Sequence, residues 1–199
     1  MVEDNISNIK YNFENSSGSD ISYLIQAINI LGEDLVGCEL GVHRGYSSMT
    51  MLHNCSLKKL YLIDSWEPYF DYLKVNPDGQ PSYHVNNLDS EINKFLAYHH
   101  VNNSGYKHLV EIINKDSLKA VDEIENNSLD FIFFDAMMNT DQTYKEALAY
   151  YPKLKKGGVF FGHDASSFIQ VIEPIKKVKE KFNNKNKMFT YNNTFLFRI

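Results

Sequence analysis

The chain has 199 residues, of which 43% are hydrophobic and 23% are charged, and these fractions exclude a disordered or fibrous protein. Its net charge of −5 provides no overall field for holding a polyanion, which disfavours nucleic acid as a partner. The length predicts one domain over residues 1–199 that buries its own core without disulfides.

The amino-terminal sequence MVEDNISNIK is acidic and polar, whereas a secretory signal has a basic end followed by an apolar core. No stretch of the sequence approaches the roughly 20 apolar residues of a membrane span. We therefore predict a cytoplasmic protein with no membrane partner. The sequence leaves a homo-oligomer open.

Helices and strands are predicted to alternate along the chain. Residues 21–31 have apolar side chains at spacings of three and four, which indicates a helix, and residues 1–32 are predicted to form a helical cap. Short apolar runs predict strands at 35–42, 59–63, 109–113, 129–134, 159–161, 187–191 and 194–199. Further helices are predicted to end near residue 52 and to span 88–98, 118–124, 143–151 and 168–182.

Residues 66–100 form a long segment rich in Tyr, Phe, His and Asn, with a predicted turn at 76–79. The segment is too long for a plain connector, so we interpret it as an acceptor-side insertion or lid. Its aromatic side chains either cover the acceptor or only pack the insertion onto the sheet; they are Tyr69, Phe70, Tyr72 and Tyr83. A second turn is predicted at 155–158.

The last two predicted strands are separated only by Asn192 and Asn193. Such a short connection produces a hairpin, because parallel neighbours need a crossover of a dozen or more residues. The predicted fold is therefore α/β, a Rossmann-like, doubly wound, mostly parallel seven-stranded sheet with a C-terminal antiparallel hairpin strand. A sheet of this kind binds its ligand at the carboxyl ends of the strands.

Glycines follow the first predicted strand in the sequence Glu39-Leu-Gly41-Val-His-Arg-Gly45-Tyr-Ser47-Ser. They permit a sharp turn and a close approach of a ligand to the backbone. The spacing does not match GxGxxG, and Glu39 would repel a phosphate and attract an ammonium group. Asp64 follows about 20 residues later, where an acidic residue contacts ribose in nucleotide folds.

The order of these motifs resembles that of class I S-adenosylmethionine-dependent methyltransferases over roughly residues 33–199. The further segments that carry the resemblance are Asp64-Ser65-Trp66, Asp116-Ser117, Phe133-Phe-Asp135, Leu154-Lys-Lys-Gly-Gly158 and Gly162-His163-Asp164. The last of these is similar to the group that contains small-molecule and sugar O-methyltransferases. The resemblance implies methyl transfer to a hydroxyl of a small-molecule acceptor.

The resemblance also implies which residues bind S-adenosylmethionine. They are Glu39, Gly41, Gly45, Ser47, Asp64, Ser65, Trp66, Asp116, Ser117 and Asp135. Within this set Glu39 and Gly41 would hold the methionine end, and Asp64 would hold the ribose. Asp116 and Ser117 would contact the adenine, on which Trp66 would stack.

Removal of a hydroxyl proton needs a general base, for which we predict Asp135 and His163. Metal-dependent members of the resembled group bind a divalent ion such as Mg²⁺ with one Asp after the fourth strand and an Asp-Asp or Asp-Asn pair after the fifth. Asp135 and Asp164 match two of these three ligands. Position 165 is Ala and departs from the pattern.

Plainer structural roles stand beside these functional ones. In these roles Glu39 and Asp64 would cap helices or pair with Lys. Asp116 would be a helix N-cap, and His163 would hydrogen-bond to a backbone group. The residues His99 and His100 are predicted to lie on the surface. The alternative functions are an NAD or nucleotide-sugar binding Rossmann enzyme, or an inactive S-adenosylmethionine-binding module.

Overall fold

The computed structural model describes residues 20–75, 81–136, 140–165 and 169–199. The helices are α1 (Asp20–Asn29), α2 (Tyr46–Asn54), α3 (Asn87–Asn102), α4 (Ser117–Ala120), α5 (Thr140–Tyr150) and α6 (Ile169–Lys181). The strands are β1 (Leu35–Leu40), β2 (Leu57–Ile63), β3 (Tyr69–Val75), β4 (Pro81–Val85), β5 (Val110–Ile113), β6 (Leu129–Phe134), β7 (Leu154–Gly162), β8 (Phe189–Tyr191) and β9 (Thr194–Arg198).

Seven strands form one sheet in the order β5-β2-β1-β6-β7-β9-β8, and β3 pairs with β4 in a separate antiparallel hairpin. The pairs among β5, β2, β1, β6 and β7 are all parallel. Strand β9 runs antiparallel to both β7 and β8. The predicted Rossmann-like sheet with a C-terminal antiparallel hairpin strand is therefore confirmed.

Both faces of the sheet are covered by helices. Along β6, Phe131 and Phe133 pack into the core that contains α1, α2 and α3, whereas Ile132 and Phe134 pack into the core that contains α4, α5 and α6. All four side chains are at most 4% exposed. This alternation explains why the strand is apolar at nearly every position, since successive side chains of a strand point to opposite faces.

The predicted strands and helices are found near their expected positions, with two corrections. The turn predicted at 155–158 is wrong, because β7 runs through it. Gly157 adopts a φ of 85°, and its N–H donates to the Ile199 carbonyl (2.8 Å), so the glycines produce an irregularity within the strand. The second correction is the hairpin of β3 and β4, which the sequence did not predict.

The segment 66–100 contains this hairpin and most of α3, and its role as an acceptor-side lid stays a prediction. The turn predicted at 76–79 and the first part of the predicted cap, residues 1–19, lie outside the described residues, as do the side chains of Tyr69, Phe70, Tyr72 and Tyr83. A single domain over the whole chain also stays a prediction. Among the described residues, no helix is long and apolar enough to span a membrane.

Candidate functional site

The carboxyl ends of β2, β1 and β6 bring three acidic residues to one edge of the sheet. Glu39 is the penultimate residue of β1, Asp64 follows β2, and Asp135 follows β6. The ladder continues beyond the strands, because the Asp135 N–H donates to the Leu40 carbonyl (2.9 Å). The structure therefore places three predicted site residues at the carboxyl ends of three neighbouring strands, and the ligand crevice there stays a prediction.

Glu39 is fully buried and fastens α2 to β1. Its carboxylate accepts hydrogen bonds from the hydroxyls of Ser47 and Ser48. Burial, together with the nearby charges of Asp135 and Asp64, raises the pKa of Glu39 to about 8. The two serine hydrogen bonds oppose this shift only in part. A positive charge in the crevice would favour the ionised form of this carboxyl group.

Two glycines give the loop at residues 41–45, the glycine loop, its shape. Gly41 has a φ of 86° and Gly45 a φ of 79°, which are left-handed conformations that favour glycine. A Cβ on Gly41 would lie 2.1 Å from the carbonyl oxygen of Asp135. The loop is thus pressed against the end of β6, and no side chain fits at position 41.

Asp64 holds the glycine loop from the side of β2. Its Oδ2 accepts hydrogen bonds from the backbone N–H groups of Val42 (2.9 Å) and His43 (2.8 Å), and its Oδ1 accepts one from Trp66 (2.7 Å). Burial raises the pKa of Asp64 despite these three donors. The predicted contact with ribose stays a prediction, beside this observed role in shaping the loop.

Ser65 and Trp66 differ in their burial and in their contacts within the protein. The Ser65 carbonyl accepts a hydrogen bond from Asn114 Nδ2 (2.8 Å), and its hydroxyl accepts one from the Glu67 N–H (3.2 Å). The Trp66 side chain is 8% exposed and packs against Tyr98, with 5.8 Å between the ring centroids. Stacking of Trp66 on adenine stays a prediction.

Asp116 and Ser117 lie at the start of α4, after β5. Asp116 is the N-cap of this helix and accepts from the N–H groups of the two residues after Ser117. The Ser117 hydroxyl donates to Glu146, and the Ser117 carbonyl accepts from the Tyr150 hydroxyl (2.8 Å). The structural role foreseen for Asp116 is therefore present, and it is compatible with contact to adenine.

Asp135, His163 and Asp164 form a cluster after β6 and β7. His163 Nδ1 lies 3.6 Å from Asp135 Oδ1 and 3.2 Å from Asp164 Oδ1. The ligand atoms of the three residues all lie within 4.8 Å of one another, and each side chain is partly exposed. The structure thus brings together both predicted bases and both predicted metal ligands.

The two carboxyl groups of this cluster titrate differently. Burial raises the pKa of Asp135 to about 6, although the charge of His163 opposes the shift. Burial would also raise the pKa of Asp164, but the hydrogen bond and charge of His163 and a hydrogen bond from Asn193 hold it below its ordinary value. Asp164 therefore stays ionised to a lower pH than Asp135 does.

Glu146 and Asn193 bond to predicted site residues and were not predicted from the sequence. Glu146 is 3% exposed and belongs to α5, where Thr143, Ala147 and Tyr150 share its buried face at spacings of three and four. That spacing was readable in the sequence and would have placed a carboxyl group in the interior. Asn193 lies in the hairpin turn and donates from Nδ2 to Asp164 Oδ1 (2.9 Å), a contact for which the sequence contains no signal.

His43 and Arg44 belong to the glycine loop, and His99 and His100 belong to α3. His43 is exposed, and Arg44 donates from Nε to Asn93 Oδ1 (2.8 Å). His99 is exposed, as predicted. His100 is half-buried and its Nδ1 lies 3.0 Å from the Arg44 carbonyl, so its predicted surface position is only partly correct, because α3 packs against the loop.

The strand order, the glycine loop after β1 and the acidic residues after β2 and β6 define a class I methyltransferase fold. A family model described as a methyltransferase domain matches residues 38–165, about two thirds of the chain. The chain belongs to this methyltransferase family, whose members use S-adenosylmethionine. No curated protein matches the sequence.

Solved structures share the fold at low sequence identity. A protein of Staphylococcus aureus assigned as a caffeoyl-CoA O-methyltransferase is 16% identical, with a TM-score of 0.60 over 100% of this chain and 92% of that one. A geranyl diphosphate methyltransferase in complex with GPP and sinefungin is 11% identical, with a TM-score of 0.58 and coverages of 86% and 60%. A Clostridium thermocellum protein assigned as an rRNA methylase is 8% identical, with a TM-score of 0.59 and coverages of 89% and 92%. These likenesses establish the fold and leave the acceptor open.

Proposed function

We propose that this protein transfers the methyl group of S-adenosylmethionine to a hydroxyl group of a small molecule or sugar. The observation that carries the proposal is the cluster of Asp135, His163 and Asp164, which lies against the glycine loop. Gly41 would meet the Asp135 carbonyl if it had a side chain, so the loop lies directly beside the first residue of the cluster. A cofactor on the loop would therefore be close to a proton acceptor.

The cofactor residues are proposed from the resemblance and from their placement. The glycine loop and Glu39 would bind the methionine end, and the Ser47 hydroxyl would hold the Glu39 carboxylate. Asp64 and Ser65 would face the ribose, and Asp116 with Ser117 would form the edge that meets the adenine. When bound, S-adenosylmethionine supplies a methyl group that is already activated by its positive sulfur.

The proposed base is His163, with Asp135 as the second candidate. Two carboxylates beside the imidazole stabilise positive charge there, so the ring can accept the proton of the acceptor hydroxyl. The chain otherwise has only to hold the acceptor oxygen in line with the methyl carbon and to exclude water. Base and cofactor residues together support hydroxyl methylation, and Asp164 with Asn193 would fix the orientation of His163.

The predicted divalent metal fits this site poorly. Mg²⁺ takes oxygen ligands, but the third donor beside Asp135 and Asp164 is the nitrogen of His163, and Ala165 provides no donor at the position where the resemblance implies one. Metal binding by Asp135 and Asp164 stays a prediction, and the mechanism above uses no metal. Comparison of activity in Mg²⁺ and in EDTA tests this point.

Calorimetric titration with S-adenosylmethionine, S-adenosylhomocysteine, sinefungin and NAD tests the cofactor. We expect saturable binding of the three adenosyl ligands, weakened at least tenfold in Asp64→Ala, because the glycine loop loses the acceptor of two N–H groups. The exposed Asp141→Asn, which removes the negative charge of a surface pair with Lys145, should bind as the wild type does. A preference for NAD would refute the assignment.

Turnover is measured as S-adenosylhomocysteine formed with a panel of catechols, phenols and monosaccharides. His163→Gln should bind the cofactor within about threefold of the wild type and lose at least 100-fold in kcat, the usual contribution of a general base. Cofactor binding with no turnover of any acceptor would favour the alternative of an inactive binding module. Equal kcat in His163→Gln would refute the proposed base.

A further inference from the structure

The glycine loop contains a non-glycine residue in a strained conformation. His43 has a φ of 53°, which a residue with a side chain adopts only when its surroundings hold it there. Its N–H donates to Asp64 Oδ2 (2.8 Å), and its carbonyl accepts from Trp66 Nε1 (2.7 Å). Both peptide groups of His43 are therefore fixed by residues that follow β2.

Helix α3 fixes the next two residues of the loop. Arg44 donates from Nε to Asn93 Oδ1 (2.8 Å), and Asn93 is 2% exposed. The Arg44 carbonyl lies 3.0 Å from His100 Nδ1. Gly45 lies beside the same helix, and a Cβ there would be in van der Waals contact with the Ala97 Cα at 3.5 Å. Three consecutive residues of the glycine loop are thus held from outside the loop.

Trp66 links these two supports. It has a φ of 46°, and its carbonyl accepts a hydrogen bond from the hydroxyl of Ser90 in α3. Its ring is almost fully buried beside Tyr98, also in α3. The position of the indole N–H, and with it the His43 carbonyl, therefore depends on the packing of α3.

We propose that Trp66 and Asn93 are positioning residues that hold the glycine loop ready for the cofactor, so that α3 acts as a clamp on the cofactor site. The inference rests on the proposed function, because it takes the glycine loop as the site of the methionine end. A loop released from this clamp populates other conformations, and the apparent affinity falls with the fraction of molecules that remain competent. The clamp acts through His43 and Arg44.

The decisive variants are Trp66→Phe, which keeps an aromatic ring but removes the N–H donor, and Asn93→Leu, which removes the acceptor for Arg44. Each should weaken binding of S-adenosylhomocysteine about fivefold, the loss that corresponds to one hydrogen bond. The KM for S-adenosylmethionine should rise by the same factor while kcat at saturation stays unchanged. Amide hydrogen exchange at residues 42–45 should become faster in the free variants and recover when the ligand saturates them.

Tyr98→Phe is the matched control, since it changes a ring beside Trp66 and leaves every hydrogen bond of the loop in place; its affinity should equal that of the wild type. If Trp66→Phe binds as tightly as the wild type and only Trp66→Leu is weakened, Trp66 stacks on the adenine and the clamp is refuted. A loss of stability with unchanged affinity and exchange also refutes it. If the wild type binds no adenosyl ligand, the proposed function fails together with the clamp.

Discussion

The substitution Glu146→Gln tests the electrostatics of the interior behind the proposed adenine edge. Oε1 of Glu146 accepts hydrogen bonds from the Ser117 hydroxyl and from Gln142 Nε2 (2.9 Å). Oε2 is buried and has no hydrogen-bond partner among the described residues. An ionised carboxylate at this position is costly, because one oxygen is buried and no donor among the described residues reaches it.

The expected magnitude follows from the titration of this group. Burial raises the pKa of Glu146 from 4.5 to about 7, in spite of the hydrogen bonds from Ser117 and Gln142. Between these pH values the folded protein retains a proton that the unfolded chain has lost, so the free energy of unfolding falls as the pH rises. A shift of this size corresponds to about 3 kcal/mol of the free energy of unfolding, and this contribution is fully lost once the pH is above the folded-state pKa. A glutamine does not titrate and removes this loss.

Urea denaturation at pH 5, 6, 7 and 8 measures the effect. We expect Glu146→Gln to be close to the wild type at pH 5 and more stable by about 3 kcal/mol at pH 8. The buried Glu39 contributes the same sign of pH dependence to both proteins, so it cancels in the comparison. The exposed Glu125→Gln should show no such divergence. Parallel stability curves for Glu146→Gln and the wild type would refute the reasoning.

Three further substitutions test the fold. Gly41→Ala should lose at least ~3 kcal/mol of stability and its adenosyl binding, because of left-handed strain and the contact with the Asp135 carbonyl. A Cβ on Gly105 would meet no atom within 4 Å, so Gly105→Ala should have the wild-type urea midpoint. Equal midpoints for Gly41→Ala and the wild type would contradict this reasoning. Tyr150→Phe loses the hydrogen bond to the Ser117 carbonyl, so its free energy of unfolding should fall by about 1 kcal/mol in thermal denaturation. An unchanged Tm would argue against that hydrogen bond. Asp130→Asn loses the ion pair with Lys155 (2.8 Å), while an amide oxygen can still accept from the Val36 N–H. Its destabilisation of about 1 kcal/mol or less should therefore shrink in 1 M salt. A salt-independent loss would mean that the ion pair contributes nothing.

Local pattern determined the architecture of this protein and the chain positions of its candidate site. The run 129–134 predicted β6 to the residue, because a strand covered on both faces has apolar side chains at nearly every position. The acidic residues that follow successive strands, among them Asp64 and Asp135, could be placed at one edge from the sequence alone, since the ends of parallel strands meet there. The order of the motifs likewise carried the family, which the match to residues 38–165 confirmed.

Partners distant in sequence were decided only by the tertiary structure. The indole N–H of Trp66 meets a carbonyl 23 residues earlier, Asn193 meets Asp164 across 29 residues, and Glu146 meets Ser117 across another 29. No spacing rule reports such contacts, because they depend on how α3, α5 and the terminal hairpin pack on the sheet. The sequence therefore determined which residues follow neighbouring strands at one edge of the sheet, and the packing of these elements decided which contacts hold those residues in place.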